Sequence, residues 1–111
     1  MDDTAIEIRE YKTKDGRNLF REWLDSLRDT EAKARIRIRL NRVRVGNLGD
    51  AKSIGRGVSE LRIPYGPGYR VYFGRDGSRI VLLLCGGDKH SQRQDIIEAQ
   101  GRWADYKERK L

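Results

Sequence analysis

Apolar and polar positions alternate from Thr4 to Tyr11, with Ala5, Glu7 and Arg9 on one side and Ile6 and Ile8 on the other, which predicts a short opening strand. Asp15-Gly16 breaks the period. Leu19, Phe20, Trp23, Leu24 and Leu27 then recur at helical spacing and predict an amphipathic helix. After Asp29, Thr30 is the expected N-cap of a second helix, with Glu31 in its first turn. Two periods compete between Arg35 and Val45. Its first half alternates basic and apolar, as an edge strand does. Ala32, Ile36, Leu40, Val43 and Asn47 instead form one helical stripe, with Ala34, Ile38 and Val45 on the opposite side. We read the segment as a helix.

Gly46 to Gly57 holds four glycines and reads as a loop carrying Lys52 and Arg56. Three strand-like runs follow. Val58 to Tyr65 sets Leu61, Ile63 and Tyr65 against Glu60 and Arg62, and Tyr69 to Arg75 sets Tyr69, Val71 and Phe73 against Arg70 and Tyr72. A glycine- and proline-containing turn joins them, and Asp76-Gly77 predicts a two-residue hairpin into Ile80 to Cys85, ended by Gly86-Gly87. That last run is apolar throughout, as a strand covered on both faces would be. Ser91-Gln92-Arg93-Gln94 has the form of a capping box. It opens a helix with Ile96, Ile97, Ala99, Trp103, Ala104 and Tyr106 on one half. The order is strand, two helices, a three-strand antiparallel meander and a final helix: an α+β domain with helices against one face of the sheet.

At 111 residues the chain has room for a single domain, 1–111, and it shows no internal repeat. No apolar run approaches the roughly 20 residues of a membrane span, and Met1-Asp2-Asp3 is acidic where a signal peptide is basic, so a cytoplasmic protein without membrane contact is expected. Cys85 is the single cysteine and His90 the single histidine, which leaves no disulfide and too few ligands for a zinc site; neither a metal nor another cofactor is expected. The net charge of +7 lies in the middle of the chain: residues 1–34 carry −2, residues 35–93 carry +9 and residues 94–111 carry 0. A basic middle between neutral ends points to a polyanion, with nucleic acid the first candidate; a basic protein with no such role is the alternative.

Glu60, Arg62, Arg70 and Tyr72 fall on the face opposite Leu61, Ile63, Val71 and Phe73, and Lys89 and His90 follow the paired glycines. Such a cluster suits cleavage of RNA by attack of its own 2′-hydroxyl. That reaction needs a base, an acid and cations for the phosphorane, and it needs no metal. Solvated arginines on an open sheet and a loop histidine bonded to backbone are the plainer readings of the same residues. Cys85, Trp103 and Tyr106 read as core.

Glu60-Leu61-Arg62, Gly66-Pro67-Gly68-Tyr69-Arg70-Val71-Tyr72-Phe73 and Leu84-Cys85-Gly86-Gly87-Asp88-Lys89 resemble the RelE/HigB-type toxins of bacterial type II toxin–antitoxin modules, nearest to their addiction module killer branch. The resemblance runs from Tyr11 through the last helix. It implies a RelE-like fold, in which an N-terminal strand and a two-helix hairpin pack on a twisted antiparallel β-sheet with a C-terminal helix. It also implies a metal-independent endoribonuclease that cuts mRNA on the ribosome. Arg70 matches the family's phosphate-stabilising arginine and Lys89 a second basic position. Arg62 and His90 complete the implied catalytic set, and Lys52, Arg56, Tyr72 and Arg93 are the implied RNA contacts. Glu60 stands where RelE itself has a basic residue. The implied partners are mRNA, the ribosome and a cognate antitoxin, a small helix-turn-helix protein through which alone operator DNA would be reached; Ala34, Ile38 and Val45 are its expected contact, flanked by arginines at 35, 39 and 42 and at 37 and 44. ParE-like toxins share the fold and poison DNA gyrase, which is the alternative, together with a catalytically inactive antitoxin- or RNA-binding module.

Overall fold

The computed structural model describes residues 5–110; the acidic opening Met1-Asp2-Asp3, the expected first strand residue Thr4, and Leu111 lie outside it. Among the described residues there are five strands and three helices. They run β1 (Glu7–Glu10), α1 (Leu19–Ser26), α2 (Thr30–Arg44), β2 (Ala51–Gly55), β3 (Val58–Ile63), β4 (Tyr69–Asp76), β5 (Ile80–Gly87) and α3 (Gln92–Lys110). The sheet order is β1-β5-β4-β3-β2. β1 pairs with β5 in parallel and every other pairing is antiparallel, so the sheet is mixed, not antiparallel throughout. The physical reason lies in β5. Its apolar run is buried on both faces and it holds an interior place in the sheet; β4 pairs on one side by hairpin and β1 on the other, while α1 and α2 carry the chain from β1 across to β2 at the opposite edge.

The competing periods at 35–45 resolve as helix. Asp29, not Thr30, caps α2: its Oδ1 accepts from the amides of Glu31 at 3.0 Å and Ala32 at 3.2 Å. Ala32, Ile36, Leu40 and Val43 are buried, while Asn47 lies beyond the helix end and is exposed. Arg39 departs from the expected flank. It is buried, and its guanidinium donates to the carbonyls of Leu48 at 2.8 Å and Asp50 at 3.2 Å, pinning the segment that enters β2. The glycine-rich stretch expected as a loop contains β2, because its glycines punctuate the strand without filling it. Gly49 precedes β2, and Gly55, Arg56 and Gly57 make the turn into β3 with φ of 95°, 55° and 82°.

The helices do not share one face. α1 and α2 cover Leu61, Ile63, Val71, Phe73, Val81 and Leu83, whereas α3 covers Val58, Tyr72, Leu82, Leu84 and Cys85 on the other side. Two glycines make this double cover possible. A Cβ on Gly86 would fall 2.2 Å from the Trp23 ring, and one on Gly74 would fall 2.3 Å from the Trp103 ring, so one tryptophan lies flat against bare backbone on each face. Gly86 and Gly87 belong to β5 itself, and Gly77, Ser78 and Arg79 make a three-residue hairpin loop in place of the expected two, since Asp76 pairs with Ile80. On α3 the buried side is narrower than expected. Ala99 and Trp103 are buried, but Ile97 is 59% exposed and Ala104 is exposed.

Gly74→Ala and Gly86→Ala should each lower the unfolding free energy by about 1–3 kcal/mol through overpacking against an indole. Gly101→Ala, where an added Cβ meets nothing within 4 Å, should raise it by about 0.5–1 kcal/mol. Urea unfolding of the three variants checks both signs.

Candidate functional site

The register of the central strands aligns two rungs on the α3 side of the sheet. One rung is Arg62 opposite Arg70 opposite Gly87; the next is Lys52, Glu60, Tyr72 and Cys85. Like charges directly across a strand pair repel, and here each arginine is met by a carboxylate. Asp50 Oδ1 accepts from Arg62 Nε at 3.1 Å and Nη2 at 2.8 Å. Glu60 Oε2 lies 3.4 Å from Arg70 Nε, in an ion pair whose side chains are 3% and 12% exposed. The third strand contributes no side chain at Gly87. That space is taken by Asp95 of α3, whose Oδ2 would sit 1.8 Å from a Cβ there.

The first turn of α3 roofs these rungs. Gln92 Nε2 donates to Glu60 Oε2 at 3.2 Å, and Ser91 Oγ donates to Asp95 Oδ2 at 2.5 Å. The expected capping box takes a different form: the Ser91 hydroxyl serves a carboxylate, and Gln92, not Gln94, reaches across to the sheet. Asp88 Oδ1 shapes the preceding turn by accepting from the amides of His90 at 2.8 Å and Ser91 at 3.1 Å. This turn brings Lys89 toward Arg70. Gly68 is the meeting point, since a Cβ on it would lie 3.7 Å from both Arg70 Nη1 and Lys89 Cβ. Arg70 Nη1 donates to the Gly68 carbonyl at 3.1 Å.

Arg62, Arg70 and Lys89 are therefore gathered at one end of the sheet, with His90 and Arg93 exposed at its margin and Lys52 exposed on the neighbouring edge strand. Arg56 is not gathered with them. It lies in the β2–β3 turn, at the opposite end of β3, beside Ile97, Gln100 and Lys107. Tyr72 is corrected as an RNA-contact surface: its ring is wholly buried beneath α3. Ala34, Ile38 and Val45 are exposed, Ile38 at 51% and Val45 at 65%. Arg39, expected beside them, is buried in the fold. Sequence reasoning missed Asp50, Gln92 and Asp95, for their roles depend on how β2 and α3 fold back over the rungs; Glu60, an acid in a basic strand, was the one visible signal.

Burial pushes the Tyr72 hydroxyl up, and the Glu60 and Asp95 carboxylates push it the same way, so it is a donor at neutral pH. Burial likewise pushes the Cys85 thiol up to about 12, which makes it an inert core group. Burial also raises Asp95, and Glu98 and Asp88 add to that while Ser91 opposes it. Among the described residues no three His, Cys, Asp or Glu side chains gather into a metal-holding group. Two guanidinium groups, an ammonium and a buried hydroxyl form a site fitted to oxyanions. Glu60→Ala would leave Arg70 without its carboxylate and should cost up to about 3 kcal/mol; an unchanged urea midpoint would show that Arg70 is satisfied without Glu60.

No family model matches the chain. An uncharacterized protein of Haemophilus influenzae is 48% identical to it over 81 residues, which cover 73% of this chain and 82% of the relative. Among the described residues no helix is long and apolar enough to cross a membrane.

Proposed function

The chain belongs to one family with that Haemophilus protein, and we propose that it is the toxin of a type II toxin–antitoxin module, a RelE/HigB-type endoribonuclease that cuts mRNA on the ribosome in the cytoplasm. The observation that carries this reading is the cross-strand pair Arg62–Arg70 at the sheet end where Lys89 converges. A sheet sets two arginines directly opposite at an electrostatic cost, and an RNA phosphate between strand and turn would turn that cost into binding.

In the reaction, the 2′-oxygen bonds to phosphorus as the bond to the 5′-oxygen breaks, leaving a 2′,3′-cyclic phosphate and a 5′-hydroxyl. Arg70 and Arg62 stabilise the charge that builds on the non-bridging oxygens. Lys89 and His90, both exposed, take the 2′-proton and return one to the leaving oxygen. Arg93 and Lys52 steer the strand by charge. The carboxylates on Arg62 and Arg70 favour one rival, an inactive binding module in which both cations are already satisfied.

Arg70→Ala should lower cleavage of mRNA on programmed ribosomes by about 10²–10³-fold, as loss of one transition-state donor does. Gel analysis of the ends, with a gyrase supercoiling assay alongside, checks it. Intact mRNA with inhibited supercoiling would select the ParE-like reading, and neither effect would select the inactive module.

The partner is a cognate antitoxin, with operator DNA reached only through it. Its contact centres on Ile38, which, unlike Ala34 and Val45, lines a groove of about 430 Å³ with Ile63, Pro64 and Tyr65 as apolar neighbours and Arg35 and Arg42 as cations, Arg35 being paired with Glu31 at the groove's rim. Arg35 already stacks on the Tyr65 ring at 4.6 Å. An acidic segment carrying an apolar side chain suits that groove. Ile38→Ser should weaken antitoxin binding about tenfold, a loss of about 1.4 kcal/mol, while leaving cleavage unchanged; calorimetry with the purified antitoxin measures it.

A further inference from the structure

Two buried donors at the centre of the site make no hydrogen bond among the described residues: the Tyr72 hydroxyl, and Arg70 Nε, which is held only in its ion pair with Glu60. Both atoms are buried, and folded proteins rarely leave buried donors unpaired, because the lost hydration is not replaced. The two belong to one polar nest. Arg70 and Tyr72 stand two residues apart on the same face of β4, and Glu60 lies next to both, 3.4 Å from Arg70 Nε and directly across the ladder from Tyr72. Tyr72 is 0% exposed, and Arg70 retains 12% of its side-chain surface.

The roof over this nest is held unevenly. The C-terminal half of α3 is locked by Trp103 against Gly74, by Gln100 on the Ile54 carbonyl and by Tyr106 on Asp76. Its first turn is held to the sheet by the 3.2 Å Gln92–Glu60 bond, by Asp95 against the bare backbone of Gly87, by a weak 3.8 Å contact from the Cys85 thiol to the Asp95 carbonyl, and by the half-buried Ile96 that follows. The unpaired Tyr72 hydroxyl and the imperfectly held Arg70 Nε thus sit under the weaker end of the helix.

We propose that Tyr72 Oη and Arg70 Nε form a buried oxyanion-binding pair, filled by a phosphate oxygen when the first turn of α3 releases Glu60. Tyr72 enters the site not as the surface contact the resemblance implied but as a buried donor that meets the ligand only once the roof opens, and Gln92 is the latch that positions the roof. The elevated titration of Tyr72 agrees with this, since the hydroxyl keeps its proton beside an anion. The pair stands on geometry, and rests on the reading above only in taking an RNA phosphate as the natural occupant.

The test uses inorganic phosphate as the probe, titrated into the whole chain at constant ionic strength and followed by thermal shift and by calorimetry. Wild type should bind it saturably. Tyr72→Phe removes only the unpaired oxygen, so without phosphate it should melt higher than wild type. With phosphate it should bind about tenfold more weakly, the loss of one hydrogen bond to a charged ligand. Gln92→Ala leaves Tyr72 intact and should bind phosphate more tightly by freeing the roof. Equal phosphate affinity in wild type and Tyr72→Phe overturns the pair, as does the absence of saturable binding to wild type. RNA cleavage is scored separately. Tyr72-dependent phosphate binding by a protein that cuts no RNA keeps the pair and removes the nuclease, whereas a nuclease indifferent to Tyr72→Phe in binding and cleavage keeps the reading and removes the pair.

Discussion

β5 has to be covered on both faces. Val81, Leu82, Leu83, Leu84 and Cys85 are all buried, Val81 and Leu83 on one side and Leu82, Leu84 and Cys85 on the other, so neither side can face water. A sheet this small meets that demand with little material: α1 and α2 on one side, α3 on the other. The bare backbone at Gly86 and Gly74 lets Trp23 and Trp103 approach closely enough to seal each face with one large ring. Once Trp103 is seated, the direction of α3 is set, and with it the passage of its first turn over Glu60, Arg70 and Tyr72. The polar end of the sheet is roofed as a consequence of how its apolar end is packed.

The electrostatics of that end follow from the ladder. Register places Arg62 against Arg70, and the fold answers by bringing Asp50 from the segment before β2 and Glu60 from the adjacent rung. The two pairs are not equivalent. Arg62–Asp50 is about half exposed on both sides, where solvent and salt screen it and little stability comes from it. Arg70–Glu60 is nearly closed from water, so its desolvation is substantial and its geometry falls short of a hydrogen bond at Nε. An apolar pair of similar volume would fill that space with less strain on the fold, which is a reason to look for the role of the charges in binding rather than in stability.

Most of the element pattern was legible because it rests on local periods. The α1 stripe, the meander and the α3 stripe each repeat at the spacing of their own element. What the chain concealed was non-local. Whether β1 runs parallel to β5 depends on a crossover, not on β1 itself, and a strand as short as β2 is masked by the glycines that bend the chain at its ends. The same limit applied to the site. Alternation was enough to set Glu60, Arg62, Arg70 and Tyr72 on one face, but only the placement of α3 turned that face from an open surface into an interior. Tyr72 changed character entirely for that reason, and Arg39 did so because the chain entering β2 needed donors for its carbonyls.

Stability and recognition pull against each other at this sheet end. Apolar burial on both faces makes the domain, yet where the first turn of α3 meets the sheet the Tyr72 hydroxyl and Arg70 Nε make no hydrogen bond, the latter held only by its ion pair with Glu60. The unpaired Tyr72 hydroxyl subtracts from the stability of the closed form by about 1–3 kcal/mol, a large share of what a domain of this size has to spare. A closed state weakened in that way lies nearer in energy to one in which the first turn of α3 has moved, while Trp103 keeps the rest of the helix and the second core in place. The polar defect and the firm anchor are thus complementary: one lowers the cost of opening the site, and the other confines the opening to a single turn.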